Sequence, residues 1–280
     1  MSFPAPLQSR AAKAVYVAVT ALVLGVWLLP LAGVALTSLR TAEDLSLGNV
    51  WGWPATLDLG NYAEVLGGSR MANFMLNSFL ITLPAVAGAL ALSTMAGFAL
   101  AKHEFRGSRA LLMIFIAGNL VPFQALMIPV RDLVLAAGLY DSRWALIVFH
   151  VAFQTGFCTL FMRNFIRELP ETLLEAARME GAGELRVLWH VVLPLVRPAL
   201  AAVAVLVFTF VWNDYFWALV LVQSDDVRPL TAGLQSLRGM WQTSWQLVSA
   251  ASLMAALPPV ALFFLMQRHL IAGLTFGARR

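Results

Sequence analysis

His150 and Gln154 stand four residues apart in a run that carries no formal charge, and Asp214 is the one charged residue inside another apolar run. On a helix a spacing of four places the imidazole and the amide on one face. Together they can make an interhelical hydrogen bond, touch a permeating solute or relay a proton. Asp214 has the same range of uses: fastening its helix to a neighbour, lining a path or gate, or coupling to protons. Asn77, Asn119, Gln124 and Asn213 are further polar side chains in apolar surroundings. With His150, Gln154 and Asp214 they form the candidate set for a path or gate, because polar groups in lipid need partners.

Catalytic constellations are missing. A phosphate-binding loop needs Gly-Lys-Ser/Thr, and the only lysines, Lys13 and Lys102, each follow alanine. The sequence contains no His-Glu-x-x-His, no Gly-x-Ser-x-Gly and no cysteine pair, and a lone Cys158 makes neither an internal disulfide nor a zinc site. The expectation is a chain that is not an enzyme, with no catalytic, cofactor-binding or metal-binding residues of its own. Whatever chemistry powers it belongs to other subunits.

The elements that must position these residues follow from composition. Of 280 residues 60% are hydrophobic and 12% charged, and the mean hydropathy is +0.77; such a chain fits lipid better than water. Charges cluster between apolar runs that supply spans at about 14–39, 71–101, 110–130, 144–162, 198–222 and 247–267, each near the roughly 20 residues a spanning helix needs. The sequence therefore predicts an all-α integral membrane protein with six transmembrane helices in a single domain, 1–280. The connections on one side carry 13 Lys and Arg and those on the other 6, over nearly equal lengths. The positive-inside rule then puts both termini and the 163–197 loop in the cytoplasm. Net charge of +4 reflects this topology and implies no nucleic-acid partner. Trp51, Trp53, Trp144, Trp217, Trp241 and Trp245 fall near the outer boundary, where indoles settle at headgroup level.

The 163–197 loop reads as two short helices. Pro170 breaks the chain, Glu171 to Glu180 favours helix, Gly181 and Gly183 end it, and a second helix from Glu184 shows Leu185, Leu188, Trp189 and Val192 on one face until Pro194 stops it. Leu174, Ala177, Arg178 and Gly181 share a face of the first helix, a narrow ridge of small residues that another backbone could approach. The other reading of the loop is an amphipathic segment resting on the bilayer through Leu185, Leu188 and Trp189.

Glu175-Ala176-Ala177, three residues, Gly181, nine residues, then Val191-x-Leu193-Pro194 resembles the signature cytoplasmic loop of permease subunits of bacterial ATP-binding-cassette importers. Val191 stands for the commoner isoleucine and Glu180 for the commoner aspartate. Asn77-Ser78, Lys102-His103-Glu104-Phe105-Arg106-Gly107, Pro122 to Pro129 with Arg131-Asp132, Trp212-Asn213-Asp214, Gln267-Arg268 and Gly273-Leu274-Thr275-x-Gly277-Ala278 are similar to its carbohydrate-uptake branch, of the maltose or glycerol-phosphate type. The resemblance covers roughly residues 71–280. It implies a type I importer permease fold in the cell inner membrane, half of a sugar pathway, a second permease subunit as a heterodimeric partner, an external solute-binding protein, and two ATPase subunits that bind ATP and Mg. It also implies that Glu175, Ala176, Ala177, Arg178, Gly181, Leu193 and Pro194 couple to an ATPase, and that Trp241, Gln242, Thr243 and Trp245 probe the binding protein. The rivals are a proton-coupled secondary transporter, against which the lack of an inverted repeat counts, and an importer of the same class for a non-sugar solute.

Overall fold

The computed structural model describes residues 10–48, 52–68, 70–237 and 243–275. Among them every regular segment is helical, and five helices are long and apolar enough to cross a membrane, or six if one bent pair counts as a span. The chain divides into two compact units, Met1–Arg70 with Ser236–Met254, and Met71–Gln235 with Ala255–Arg280.

In the first unit α1 (Arg10–Ser38) is apolar on all sides, and its side chains are exposed until the last turns. A helix with no polar face suits lipid rather than water. Beyond it the chain turns into α2 (Ala42–Ser46) and α3 (Gly60–Gly67). The turn is held by polar groups: Asn61 Nδ2 donates to the Ser38 and Arg40 carbonyls at 3.0 and 2.8 Å, and the buried Arg40 guanidinium meets Asp44 at 2.9 Å.

The second unit is built on α4 (Met71–Lys102). Its buried residues Phe74, Ser78, Ile81, Ala85, Ala89 and Ser93 recur every three or four positions, a stripe that faces α7 (Arg143–Arg167). Small residues bring the two backbones close. A Cβ on Gly97 would lie 2.9 Å from the Arg163 amide nitrogen, and one on Gly88 2.7 Å from Val151 Cγ2. Asn77 meets Arg143 at one end of the pair and Arg163 meets the Leu100 carbonyl at the other, so α4 and α7 run in the same direction.

Parallel neighbours require the chain between them to cross back. It does so as α5 (Ser108–Gly118), a 3-10 turn (Phe123–Leu126) and α6 (Met127–Ala136), bent by 99° at the break. The expected straight span at 110–130 is thus two pieces, and Pro122, extended at φ −58° and ψ 118°, sits in the corner.

Two boundaries around the 163–197 loop need correction. After α8 (Glu171–Met179), α9 (Glu184–Val187) does not stop at Pro194. It runs through a π turn (Leu188–Val192) into α10 (Leu193–Trp212), which contains Pro198 as well. In the π turn each amide reaches back five residues rather than four, as Leu193 N does to the Leu188 carbonyl, and the shifted register absorbs an imino residue without breaking the rod. The span expected at 198–222 accordingly ends at Trp212, and α11 (Phe216–Leu221) is a separate turn of helix.

A short α12 (Leu230–Gly233) and α13 (Trp245–Thr275) complete the chain. In the second unit α10 runs antiparallel to α4, with Trp212 against Phe79 at one end and Leu188 and Trp189 beside Thr94 and Met95 at the other. The Trp212 indole donates to the Ala255 carbonyl at 2.9 Å. Trp217 departs from the interfacial belt: it is 3% exposed and packs on Phe149 at 4.0 Å between ring centroids, while Trp53, Trp144 and Trp245 are exposed.

Candidate functional site

The 163–197 loop is a charge-framed knob. Leu174 is fully buried among Ile166, Leu169 and Val187, which fixes the rotation of α8. The ridge of Leu174, Ala177 and Arg178 therefore faces the protein's own core and not outward, because Leu174 is the side chain with most to gain from burial. The surface left outward carries Leu173, Glu175, Ala176, Met179 and Glu180, with Met179 88% exposed.

Around this core Lys102 Nζ donates to the Leu169 carbonyl at 2.8 Å and to Glu171 at 3.0 Å. Arg178 bridges Glu171 and Glu184 at 3.3 and 2.9 Å, and His103 lies 3.3 Å from Glu184. The Lys102 hydrogen bond, and then the two cations, hold the Glu171 carboxyl below its ordinary range, and the Glu184 hydrogen bond raises Arg178 further. The helix closes as the glycines predict. Gly181 takes φ +81°, Ala182 N donates to the Ala177 carbonyl and Gly181 N to the Arg178 carbonyl, the paired bonds of a left-handed helix end. Leu193 is half-buried and Pro194 exposed at the far side of the π turn.

At the opposite end of α4 and α7 lies a second clamp. Asn77 is fully buried; its Nδ2 donates to the Asp226 and Arg228 carbonyls at 2.9 and 3.0 Å, and its Oδ1 accepts from Arg143 Nε at 2.8 Å. Ser78 Oγ accepts from Leu230 N at 2.8 Å. Of the path candidates, Asn77 thus spends its polar atoms on the 226–230 segment. Asp141, which the sequence reading missed, completes the clamp. It sits at φ +56° and its carboxylate accepts the Gln223 and Ser224 amides, both at 2.8 Å, and the Ser224 hydroxyl. Burial opposes ionisation there, but the Ser224 and Gln223 hydrogen bonds and the nearby Arg228 outweigh it and hold the carboxyl below its ordinary range. The available signal was Asp141-Ser142 before a helix start, a pairing suited to turns and caps.

The remaining candidates separate into two groups. Asn119 and Asn213 are exposed and each folds back on a carbonyl four residues earlier, Phe115 and Thr209, at the end of its helix. Gln124 is exposed in the 3-10 turn. His150, Gln154 and Asp214 come together. Asp214 lies in the break between α10 and α11, where it accepts from Trp217 N and Ala218 N at 3.3 and 3.2 Å and caps α11. Its Oδ2 is 3.4 Å from His150 Nε2.

These three line a cavity of about 220 Å³ whose other walls are Phe123, Phe149, Phe153, Phe210 and Trp217. Phe149 and Phe153 stack at 5.5 Å, and with Phe157 and Phe161 they recur every four residues along α7. That spacing was legible in the sequence. Of the residues expected to meet a binding protein, Trp241 and Gln242 lie outside the described residues; Thr243 is half-buried and Trp245 exposed in the first unit.

Residues 89–275 match the family described as "binding-protein-dependent transport system inner membrane component". The chain is 35% identical over 260 residues to the osmoprotective compounds uptake permease of Synechocystis sp., covering 90% of this chain and 87% of that protein. It is 31% identical over 243 residues to the melibiose/raffinose/stachyose import permease of Bacillus subtilis, covering 86% and 87%. Among solved structures it resembles a chain of a bacterial ABC transporter involved in the import of the acidic polysaccharide alginate, with TM-score 0.80, 25% identity, and coverage of 96% of this chain and 99% of that one.

Proposed function

Because the chain belongs to the family of inner-membrane components of binding-protein-dependent transport systems, we propose that it is the permease subunit of an ATP-driven sugar importer. In this reading it forms half of the pathway, pairs with a different permease subunit, receives solute from an external binding protein and docks on one of two ATPase subunits, which hold the ATP and Mg. Both termini lie in the cytoplasm, the two compact units serve one permease domain, and the chain carries out no reaction of its own.

The observation that carries the reading is the α8 to π-turn knob. Its inner face is fixed by Leu174 and by Lys102, Arg178 and Glu184, so Ala176, Met179 and the Gly181 turn are presented outward on a rigid base. A push there reaches α4 through Lys102 and α10 through the continuous helix. Glu175, Ala177, Arg178, Leu193 and Pro194 complete the coupling segment, Ala177 and Arg178 from the inner side.

The relative that shares 31% identity supports the solute class by its name as a melibiose/raffinose/stachyose import permease; both relatives support the permease role by matching over most of the chain. Purification of the tagged chain from native membranes tests the assembly: an ATPase and a second permease should accompany it. A deletion strain should lose uptake of at least one neutral oligosaccharide in an ATP-dependent manner. Uptake abolished by a protonophore with ATP intact would overturn the proposal in favour of a proton-driven carrier. With Cys158 replaced, Met179→Cys should react with impermeant maleimide only from the cytoplasm and Gln223→Cys only from outside; the reverse pattern would overturn the orientation.

A further inference from the structure

The cavity beside Asp214 has polar groups that the fold does not use. His150 is 4% exposed, and its Nδ1 is fully buried without a hydrogen-bond partner. Gln154, one turn away and 9% exposed, makes no hydrogen bond among the described residues. Buried polar atoms are nearly always satisfied, and an exception calls for a missing partner. Side chains that only joined helices would be saturated, as Asn77 is.

The chemistry of the missing partner can be read from the protons. His150 Nε2 faces the Asp214 carboxylate at 3.4 Å, so in the neutral ring Nε2 carries the hydrogen and Nδ1 offers a lone pair. Asp214 is an acceptor as well, and Gln154 supplies one carbonyl and one amide. The set is rich in acceptors and suits a ligand that donates several O–H bonds. The walls are aromatic, with Phe149 packed against both Phe153 and Trp217, and a π face carries negative charge that attracts the C–H face of a saturated ring. A volume of about 220 Å³ leaves room for one ring.

We propose that the cavity walled by Phe149, Phe153 and Trp217 and floored by His150, Gln154 and Asp214 binds one uncharged pyranose ring of the solute. The Asp214 carboxylate rejects rings that bear a carboxylate or sulfonate, because two like charges would share a partly dry site. This subunit then selects as well as moves its cargo. The inference rests on the sugar reading above and deepens it.

The assembled complex in proteoliposomes tests it, with labelled raffinose and maltotriose as neutral probes and trigalacturonate as the acidic one. The parent should take up a neutral probe at least tenfold faster than trigalacturonate. Gln154→Leu breaks no hydrogen bond among the described residues, and it should lower neutral uptake at least tenfold while the ATPases still copurify. His150→Gln should do the same; if it fails to assemble, Gln154→Leu still decides. Asp214→Asn should shift the ratio of trigalacturonate to neutral uptake at least tenfold toward the acidic probe. Unchanged rates and an unchanged neutral-to-acidic ratio in all assembled variants would overturn the subsite and leave the sugar reading standing. Faster uptake of trigalacturonate by the parent would overturn the charge selection, and uptake of no sugar by the parent would defeat the sugar reading and the subsite with it.

Discussion

The cytoplasmic knob and the cavity beside Asp214 use the same kinds of side chain to opposite ends. In the knob Lys102, Glu171, Arg178, Glu184 and His103 are each within 3.3 Å of an opposite partner. In the cavity the His150 Nδ1 is buried with none, and Gln154 makes no hydrogen bond among the described residues. Saturated polar groups fix a shape, whereas unsaturated ones in a dry site wait for another molecule. The knob therefore behaves as a part to be pushed, and the cavity as a part to be filled.

The knob breaks first at its turn. Gly181→Val places a β-branched residue at φ +81°, at a local cost of about 1–2 kcal/mol, and undoes the pair of bonds from Gly181 and Ala182. ATPase copurification and uptake should both fall at least tenfold; wild-type values for both would show that the turn is not where force enters.

Asn77→Ala tests the meaning of saturation directly. It takes the Asn77 partner from Arg143 Nε and from the Arg228 carbonyl, while Arg143 Nη2 still reaches the Asp226 carbonyl at 3.3 Å, so stability should drop by about 1–3 kcal/mol, read as a lower melting temperature of the complex. Gln154→Leu, which takes a partner from no described group, should lower stability less than Asn77→Ala does. Equal losses would erase the distinction between fastening and waiting groups. A smaller effect is expected where the two behaviours meet. Asp214→Ala removes the α11 cap and costs about 1 kcal/mol, whereas Asp214→Asn, able to accept one of the two amides, costs less.

The smallest effect is a pH response. The Glu171 carboxyl is depressed in the folded chain, first by its hydrogen bond from Lys102. Its contribution is therefore fully present above the ordinary value of 4.5 and is lost as pH falls through the folded value. Hydrogen exchange of the α8 amides should be flat in protection from pH 7 to 5, on correction for intrinsic rates, and rise in opening only below that. An opening centred near neutrality would assign control to another group.

Much of this was readable in the chain. The spans follow from five charge-free runs and a sixth interrupted only by Asp214, and the glycine end of α8 from Gly181 and Gly183. Rotation about a helix axis was harder: four residues spaced on one face define a ridge, but whether it points in or out depends on Leu174 finding Ile166 and Val187. Pro194 looked like a stop and Pro198 like a start because the π turn that carries the helix through them is a cooperative feature of neighbouring residues. The cavity was half legible, through His150, Gln154 and Asp214. Its aromatic walls were written at four-residue intervals along α7, yet phenylalanine in a membrane helix carries little information until its neighbours are known.

The parallel seam of α4 and α7 has a mechanical consequence. It is bolted at Asn77 with Arg143 and again at Leu100 with Arg163, positions about 35 Å apart on α4 at 1.5 Å per residue, and so on either side of a hydrocarbon layer about 30 Å thick. Between the bolts Gly88 and Gly97 leave no slack for sliding. Two rods joined in this way bend as one beam, with a stiffness neither has alone. A load applied at Lys102 and Glu171 tilts the whole strut, and the 226–230 segment tied to Asn77 must travel with it. The lever is already present in the packing of one subunit, and its fulcrum has to lie outside the seam.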